Sequence, residues 1–587
     1  MLDTAPTVKS SDSRRVLGSE PAGVVFALLA LVITAGIVLL QLNLRAGQYE
    51  PQYVPIFYRL FAFEDYLASF LFMAALLIAA VPEAQQVAAR VAGTLGEHPV
   101  ITACATTVLL AAGALWAYHA HPLSMDEAAP YMQSRIFAEG KLLGRYPPEL
   151  LDWLVHQPFQ NYFIHVSRQT GEIASSYWPG FALLLTPFMA LGVPWLCNPV
   201  LGGLSVWVIH RLTLNLTQSR QAAGAAALFS LASAAFVVNA FSFYSMSAHL
   251  LCNAVFALLL LQPTPLRCFF AGFVGGLALT LHNPIPHMLF AAAWLAWLVT
   301  QRQRWALLAS IVAGYLPWVV FVGFGWSEVL QGLAGSASAA TAAVADHQSQ
   351  LASAFERLAG VFKLPRSIDL WNRVIASAKV WLWAAPLLVL LAGVGFWRHR
   401  RDTHFRLLLA SAVITFVAYV FVPLTQGHGW GYRYFHSVWF VLPLFAGAAL
   451  IPARGVADQD KSARTSSFAR WALGGAIGGL VLMLPYFVWQ VHAFIGAHLA
   501  QIPHSQSGEA RVVFINPSGG YYNVDLVQND PFMRAQPVMM VTHGLAEENQ
   551  FMAEHFPDLT LLARDQRGAV WGVPDAGAAV PQEPRKP

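Results

Sequence analysis

Residues 99–131, PVITACATTVLLAAGALWAYHAHPLSMDEAAPY, carry an apolar run straight into an acid pair, Asp126 and Glu127. The run, Pro99 to Tyr118, is long enough to cross a bilayer, which takes about 17–25 residues. Carboxylates are costly where a membrane helix emerges, and acids in that position mark chemistry or transport. The rest of the chain fits this setting. Of 587 residues, 56% are hydrophobic and only 11% charged, whereas a soluble domain carries about one quarter charged residues. The chain therefore reads as an all-α polytopic membrane protein. Its net charge of +4 is small and dispersed, which argues against a nucleic-acid partner. The cysteines Cys104, Cys197, Cys252 and Cys268 lie in or beside apolar runs with no zinc spacing, and read as small buried side chains.

Working outward from the acid pair, further apolar runs lie near 22–42, 66–82, 196–211, 222–241, 248–262, 268–284, 287–301, 305–326, 377–396, 405–424, 437–452 and 471–494. With 99–118 they predict about 13 transmembrane helices. A shorter run at 178–193, broken by Pro179, Pro187 and Pro194, reads as a re-entrant or interfacial helix. Basic residues fall on alternate loops: Lys9, Arg14 and Arg15, then Arg90, Arg211, Arg220, Arg267, Arg302, Arg304, Arg398 to Arg406, and Arg454 to Arg470. The positive-inside bias then puts the N-terminus in the cytoplasm, and the acid pair and C-terminus outside it. The first run lacks a small-residue cleavage site and reads as an anchor.

Three outward segments are too long to be mere connectors. The first, 119–177, opens with Ala128, Met132, Ile136 and Phe137 at helical spacing, which predicts an amphipathic helix lying along the membrane surface. The second, 327–376, is rich in Ala and Ser. The third begins near 495 and has strand-like runs at 511–515, 538–541 and 559–562 around a helix near 547–555, which predicts a small extracytoplasmic α/β domain with a disordered Pro- and Ala-rich tail. The resulting division is 1–98, a tail and two added helices; 99–494, the membrane domain; and 495–587, the C-terminal domain.

No P-loop, no G-x-G-x-x-G after a strand and no H-E-x-x-H occurs. An enzyme whose acids face away from the cytoplasm has no nucleotide supply, and a lipid-linked donor in the bilayer removes that difficulty. Four stretches then resemble one family. They are Met125-Asp-Glu-Ala-Ala-Pro-Tyr131 leading to Phe137-Ala-Glu-Gly140; Ser176-Tyr-Trp-Pro179-Gly180 running to Pro187; Gly192-Val-Pro-Trp195-Leu-Cys-Asn198-Pro199-Val-Leu-Gly202; and Gly429-Trp-Gly431-Tyr432-Arg433-Tyr434-Phe-His436. Their order resembles the GT-C membrane glycosyltransferases, in the bacterial branch that includes aminoarabinose transferases of lipid A and protein O-mannosyltransferases (family 39).

That resemblance implies a GT-C-like fold and a polyprenyl-phosphate sugar donor in the cytoplasmic, or inner, membrane. The acceptor would be a glycan, lipid or protein hydroxyl. Asp126 would be the general base of a single inverting displacement. Lys141, Arg145 and Arg433 would face the donor phosphate, and Tyr131, Tyr177, Trp178, His249, Tyr432 and His436 would contact substrate. Glu127 is open to two roles, positioning the acceptor or holding a divalent cation such as magnesium or manganese. Many relatives carry a second acid in the next outward loop, but here that loop reads Phe241-Ser-Phe-Tyr244-Ser-Met-Ser247-Ala-His249. A metal site built from two separated carboxylates is therefore not expected.

Plainer readings stand beside these. Ser124 or Asp126 fits a helix N-cap. Lys141 and Arg145 fit headgroup anchors, and Arg433 fits an aromatic belt. His282, Asn283 and His287 fit satisfied polar groups at an outward turn. Two other functions remain open: an O-antigen ligase or polymerase, and a transporter or flippase of polyprenyl glycans. The second predicts ionisable residues deep in the spans and symmetry between halves.

Overall fold

The computed structural model describes residues 20–47, 55–334, 360–422, 430–451 and 459–575. Most of the second outward segment (335–359), Gly429 of the aromatic motif and the C-terminal tail from 576 lie outside the described residues.

Helices dominate the chain up to residue 499. Among the described residues, Ala22–Ala46, Ile56–Ala79, Pro99–Trp116, Arg304–Leu333, Thr403–Phe421 and Ser467–Leu499 are long and apolar enough to cross a membrane. Arg220–Leu231 and Ala234–Phe241 make a seventh if counted as one span bent by 66°. The chain is a multi-pass membrane protein, and six or seven of the about thirteen expected spans have full bilayer length among the described residues. Met246–Leu260, Pro265–Thr280, Ile285–Val299 and Leu388–His399 are shorter apolar helices. At 1.5 Å per residue such pieces fall short of a hydrocarbon core about 30 Å thick. The run at 377–396 is split by Pro386 and by Leu387, whose φ of 67° is left-handed. Its two parts are Ser367–Leu382 and Leu388–His399.

One helix has no counterpart in the sequence reading. Pro82–Glu97 starts with Pro at its first turn, and its Glu, Gln and Arg residues hide it from a search for apolar runs. It lies tightly on Arg220–Leu231. A Cβ on Gly224 would meet the Ala92 carbonyl oxygen at 1.8 Å, and one on Gly96 would meet the Arg220 oxygen at 2.2 Å. Small residues are what allow two backbones to approach so closely.

Asp65 and Lys379 form a fully buried ion pair between Asp65–Ala79 and Ser367–Leu382, with Nζ to Oδ2 at 2.5 Å and neither side chain exposed. The Trp383 indole donates to the same Asp65 oxygen at 3.2 Å. The pair ties helix Asp65–Ala79 to helix Ser367–Leu382, 314 positions further along the chain.

Segment 119–177 contains helix Met125–Ala138 and strands β1 (Gly144–Arg145), β2 (Ile164–Val166) and β3 (Glu172–Ser175), in an antiparallel sheet ordered β1-β3-β2. The C-terminal domain has β4 (Gly508–Ile515), β5 (Val538–Val541), helix Leu545–His555, β6 (Thr560–Asp565) and β7 (Gly568–Pro574). Its sheet is ordered β5-β4-β7-β6, with only β4 and β5 parallel. The two segments share one core, in which Met125, Ala129 and Ile136 lie with Val512, Phe514, Met540 and Phe551. The apolar face of helix Met125–Ala138 is therefore buried against protein and not laid on the membrane.

Candidate active site

The chain turns sharply between Trp116 and Met125, and His119 and Ala120 both take left-handed φ. Ser124 then stands at the N-cap of helix Met125–Ala138 with extended backbone, yet its side chain caps nothing. Its hydroxyl instead bonds the Tyr244 hydroxyl at 2.9 Å. The first helical amide, on Met125, donates to Asp525 Oδ1 of the C-terminal domain at 2.5 Å.

The two acids of the pair have opposite surroundings. Glu127 is fully buried. Its carboxylate accepts from the Tyr118 hydroxyl (2.8 Å), the Leu123 amide (2.7 Å) and the Phe243 amide (2.8 Å). Burial pushes its pKa up to about 7, against the pull of those donors. Trp430 extends the network by donating to the Tyr118 hydroxyl at 3.1 Å. Glu127 thus locks the helix onto the 242–244 turn, which Asn198 holds from the other side through the Ser242 and Tyr244 carbonyls. This leaves Glu127 no opening to an acceptor or an ion.

Asp126 is 27% exposed and keeps an open edge. Tyr177 donates to its Oδ1 at 2.5 Å, and Arg433 Nη1 donates to Oδ2 at 3.0 Å. Burial alone would raise this carboxyl, but Arg433, His282 and the Tyr177 hydrogen bond outweigh it and hold the pKa below the ordinary value. Asp126 is therefore ionised at neutral pH. The Arg433 side chain is only 6% exposed, and its guanidinium lies 4.4 Å from the centroid of the Tyr244 ring. His282 stacks on Tyr177 with centroids 4.1 Å apart, and burial lowers its pKa to about 4. Asp525 is pushed up to about 8 by burial and by its carboxylate neighbours Asp126 and Glu127, against the pull of the Met125 amide.

The structure thus brings together Asp126, Glu127, Arg433 and Tyr177 of the residues singled out from the sequence. Lys141 and Arg145 lie elsewhere. They line a cleft of about 580 Å³ with Glu172 and Phe532, where Lys141 Nζ sits 4.3 Å from the Phe532 ring centroid. Tyr131 meets Phe243 edge to face, and Trp178 packs over Gly323. Tyr432 and His436 are buried. His249 is fully buried, with no hydrogen-bond partner on either ring nitrogen among the described residues. His287 is satisfied on both nitrogens, by Asn253 at 2.7 Å and Tyr315 at 2.6 Å.

Tyr118, Arg373 and Asp525 carry no sequence signal that singles them out for this region, whereas Tyr244 and Trp430 lie in quoted stretches without an expected role. Arg373 lies over the rings of Tyr432 and Tyr434 at 6.0 and 5.7 Å, the residues on either side of Arg433 in the chain. Beside it an apolar groove of about 450 Å³ runs along the helices. It is walled by Val380, Val389, Phe396, Leu409, Phe416 and Phe435. Phe416 also packs edge-on against Tyr432, so the groove reaches the aromatic motif that carries Arg433. Among the described residues, no group of three or more His, Cys, Asp or Glu side chains is arranged to hold a metal ion.

No family model and no curated protein matches the chain. Solved structures similar to it include two of ArnT from Cupriavidus metallidurans. The form bound to undecaprenyl phosphate shares 14% identity at a TM-score of 0.46, covering 82% of this chain and 99% of that one. The apo form shares 13% at a TM-score of 0.43, covering 79% and 97%. Neither likeness transfers a residue role to this chain.

Proposed function

We propose that this chain is an integral membrane glycosyltransferase of the GT-C kind, moving a sugar from a polyprenyl phosphate to an acceptor hydroxyl. The reaction takes place at the outer face of the cytoplasmic membrane, with the N-terminus inside and the C-terminal domain outside. The observation that carries this reading is the partly exposed Asp126 carboxylate paired with the buried Arg433, with an apolar groove along the helices that reaches the same aromatic motif. Polyprenyl chain fits such a groove, and phosphate is a natural partner for a guanidinium.

The pairing also suggests how the base is switched on. Asp126 held low by Arg433 is a weak base. A donor phosphate arriving at Arg433 competes for that guanidinium and weakens its hold, which raises the basicity of Asp126 when donor is in place. Asp126 then takes the proton from the acceptor hydroxyl as its oxygen forms the new bond to the anomeric carbon. The bond from that carbon to the phosphate oxygen breaks, the configuration inverts, and Arg433 and Arg373 stabilise the charge left on the polyprenyl phosphate. Glu127, enclosed and triply bonded, serves as the anchor of the helix.

The test is Asp126→Asn, expressed at the normal level in a strain lacking the protein, with surface glycans read by mass spectrometry. Loss of the modification is expected, and full modification by the variant overturns the reading. A transport function draws on one observation, the buried Asp65–Lys379 pair. That pair is mutually neutralised and closed by Trp383, which suits a clamp better than a conduction path.

A further inference from the structure

The helix that bears Asp126 is capped from the far end of the chain. Its own N-cap residue, Ser124, has turned its hydroxyl to Tyr244. The acceptor for the first amide comes instead from the one-turn helix Asn523–Leu526, where Asp525 Oδ1 lies 2.5 Å from the Met125 nitrogen. Asp525 is buried, at 6% exposure. Gln528, three residues on, donates to the Pro122 carbonyl and to the Asp525 carbonyl, each at 2.8 Å. One loop of the C-terminal domain therefore grips the backbone on both sides of Ser124, and the next residue after Met125 is Asp126. Fixing the 125 amide fixes the peptide from which the Asp126 side chain departs.

We propose that Asp525 is a positioning residue for Asp126, which makes the C-terminal domain a working part of the active site; this rests on the reading of Asp126 as the base. Asp525 acts through the Met125 amide. Reacting groups need placement within about 0.5 Å, and a misplacement of about 1 Å is enough to lower a rate about 100-fold. Because burial and its neighbours favour the neutral carboxyl, an amide is a close substitute: Asn offers the same acceptor oxygen at the same reach.

The experiment uses the full-length protein in lipid nanodiscs with a polyprenyl-phosphate sugar, comparing Asp525→Asn and Asp525→Ala. The Ala variant is expected to lower kcat per folded molecule about 10- to 100-fold while donor KM changes less than about threefold. The Asn variant is expected to stay within about threefold of wild type in kcat. A cap that only stabilises the fold would lower the folded fraction and leave kcat per folded molecule unchanged. Wild-type kcat in Asp525→Ala therefore overturns the proposal. If that variant does not fold, Gln528→Ala, which loosens the same loop, is expected to lower kcat in the same sense, and an unchanged kcat there overturns it equally. Asp126→Asn separates the two levels. Full activity in Asp126→Asn removes the base reading whatever Asp525 does, whereas an inactive Asp126→Asn with a fully active Asp525→Ala removes only the positioning role.

Discussion

Asp126 and Glu127 are neighbours in sequence and do different work because one peptide step along a helix turns a side chain by about 100°. One points to an open edge and a guanidinium, and the other points into a closed set of donors. Two predictions follow from those surroundings. Arg433→Gln removes the charge that keeps Asp126 low, so the Asp126 pKa rises. The acid limb of the kcat/KM profile should then move to higher pH, in addition to any loss of donor binding. Stability carries the opposite signature at Glu127, whose folded pKa of about 7 lies above its unfolded value near 4.5. Its contribution is full below that unfolded value and is lost as pH rises through 7, by about 3 kcal/mol at most. Asp525, raised to about 8, acts in the same direction. Thermal unfolding of Glu127→Gln in detergent should show a flatter fall in stability between pH 4.5 and 7, with an overall loss of about 1–3 kcal/mol from the mismatched donor. Asp126 was legible in the sequence because a charge beside an apolar run stands out. Its partner was legible only as a cation among aromatics, since 307 positions separate the two and no local pattern records the pairing.

At the scale of elements, the long apolar spans were legible and the interruptions were not. Hydropathy sums over a window, whereas Leu387 or the bend after Leu231 depends on backbone geometry and on what packs behind it. Helix Pro82–Glu97 escaped for the complementary reason: its buried stripe is made of Ala and Gly, which add little hydropathy but allow contact. Gly224→Val should therefore separate this helix from Arg220–Leu231 and lower the unfolding temperature, with no effect on the pH profile. The Asp65–Lys379 pair joins elements too far apart in sequence for any periodicity to link them. Lys379→Met leaves a buried carboxylate unpaired and should cost about 3–5 kcal/mol. The double variant Asp65→Leu/Lys379→Met should recover most of that loss in the same unfolding assay. Transfer activity persisting in the double variant would mark the pair as a clamp.

Across the whole molecule, segment 119–177 and the C-terminal domain behave as one body because their apolar side chains share a core. Trp153 of the first stacks on Phe551 of the second with centroids 4.3 Å apart. Phe551→Ala should cost about 3–5 kcal/mol, and hydrogen exchange should quicken in residues 125–138 as well as in 545–555. The existence of a C-terminal α/β unit was readable from its strand-like runs. Its attachment to the acid-bearing helix was not, because an amphipathic face shows that a helix is covered and leaves the partner unnamed. The contact between Met125 and Asp525 also has a meaning in time. It spans 400 residues, and at about 5–20 residues per second a ribosome needs roughly 20–80 s to travel that distance. For that interval the first amide of the acidic helix is without its Asp525 acceptor, so a chain cut short during synthesis can insert its early spans without ever completing this contact.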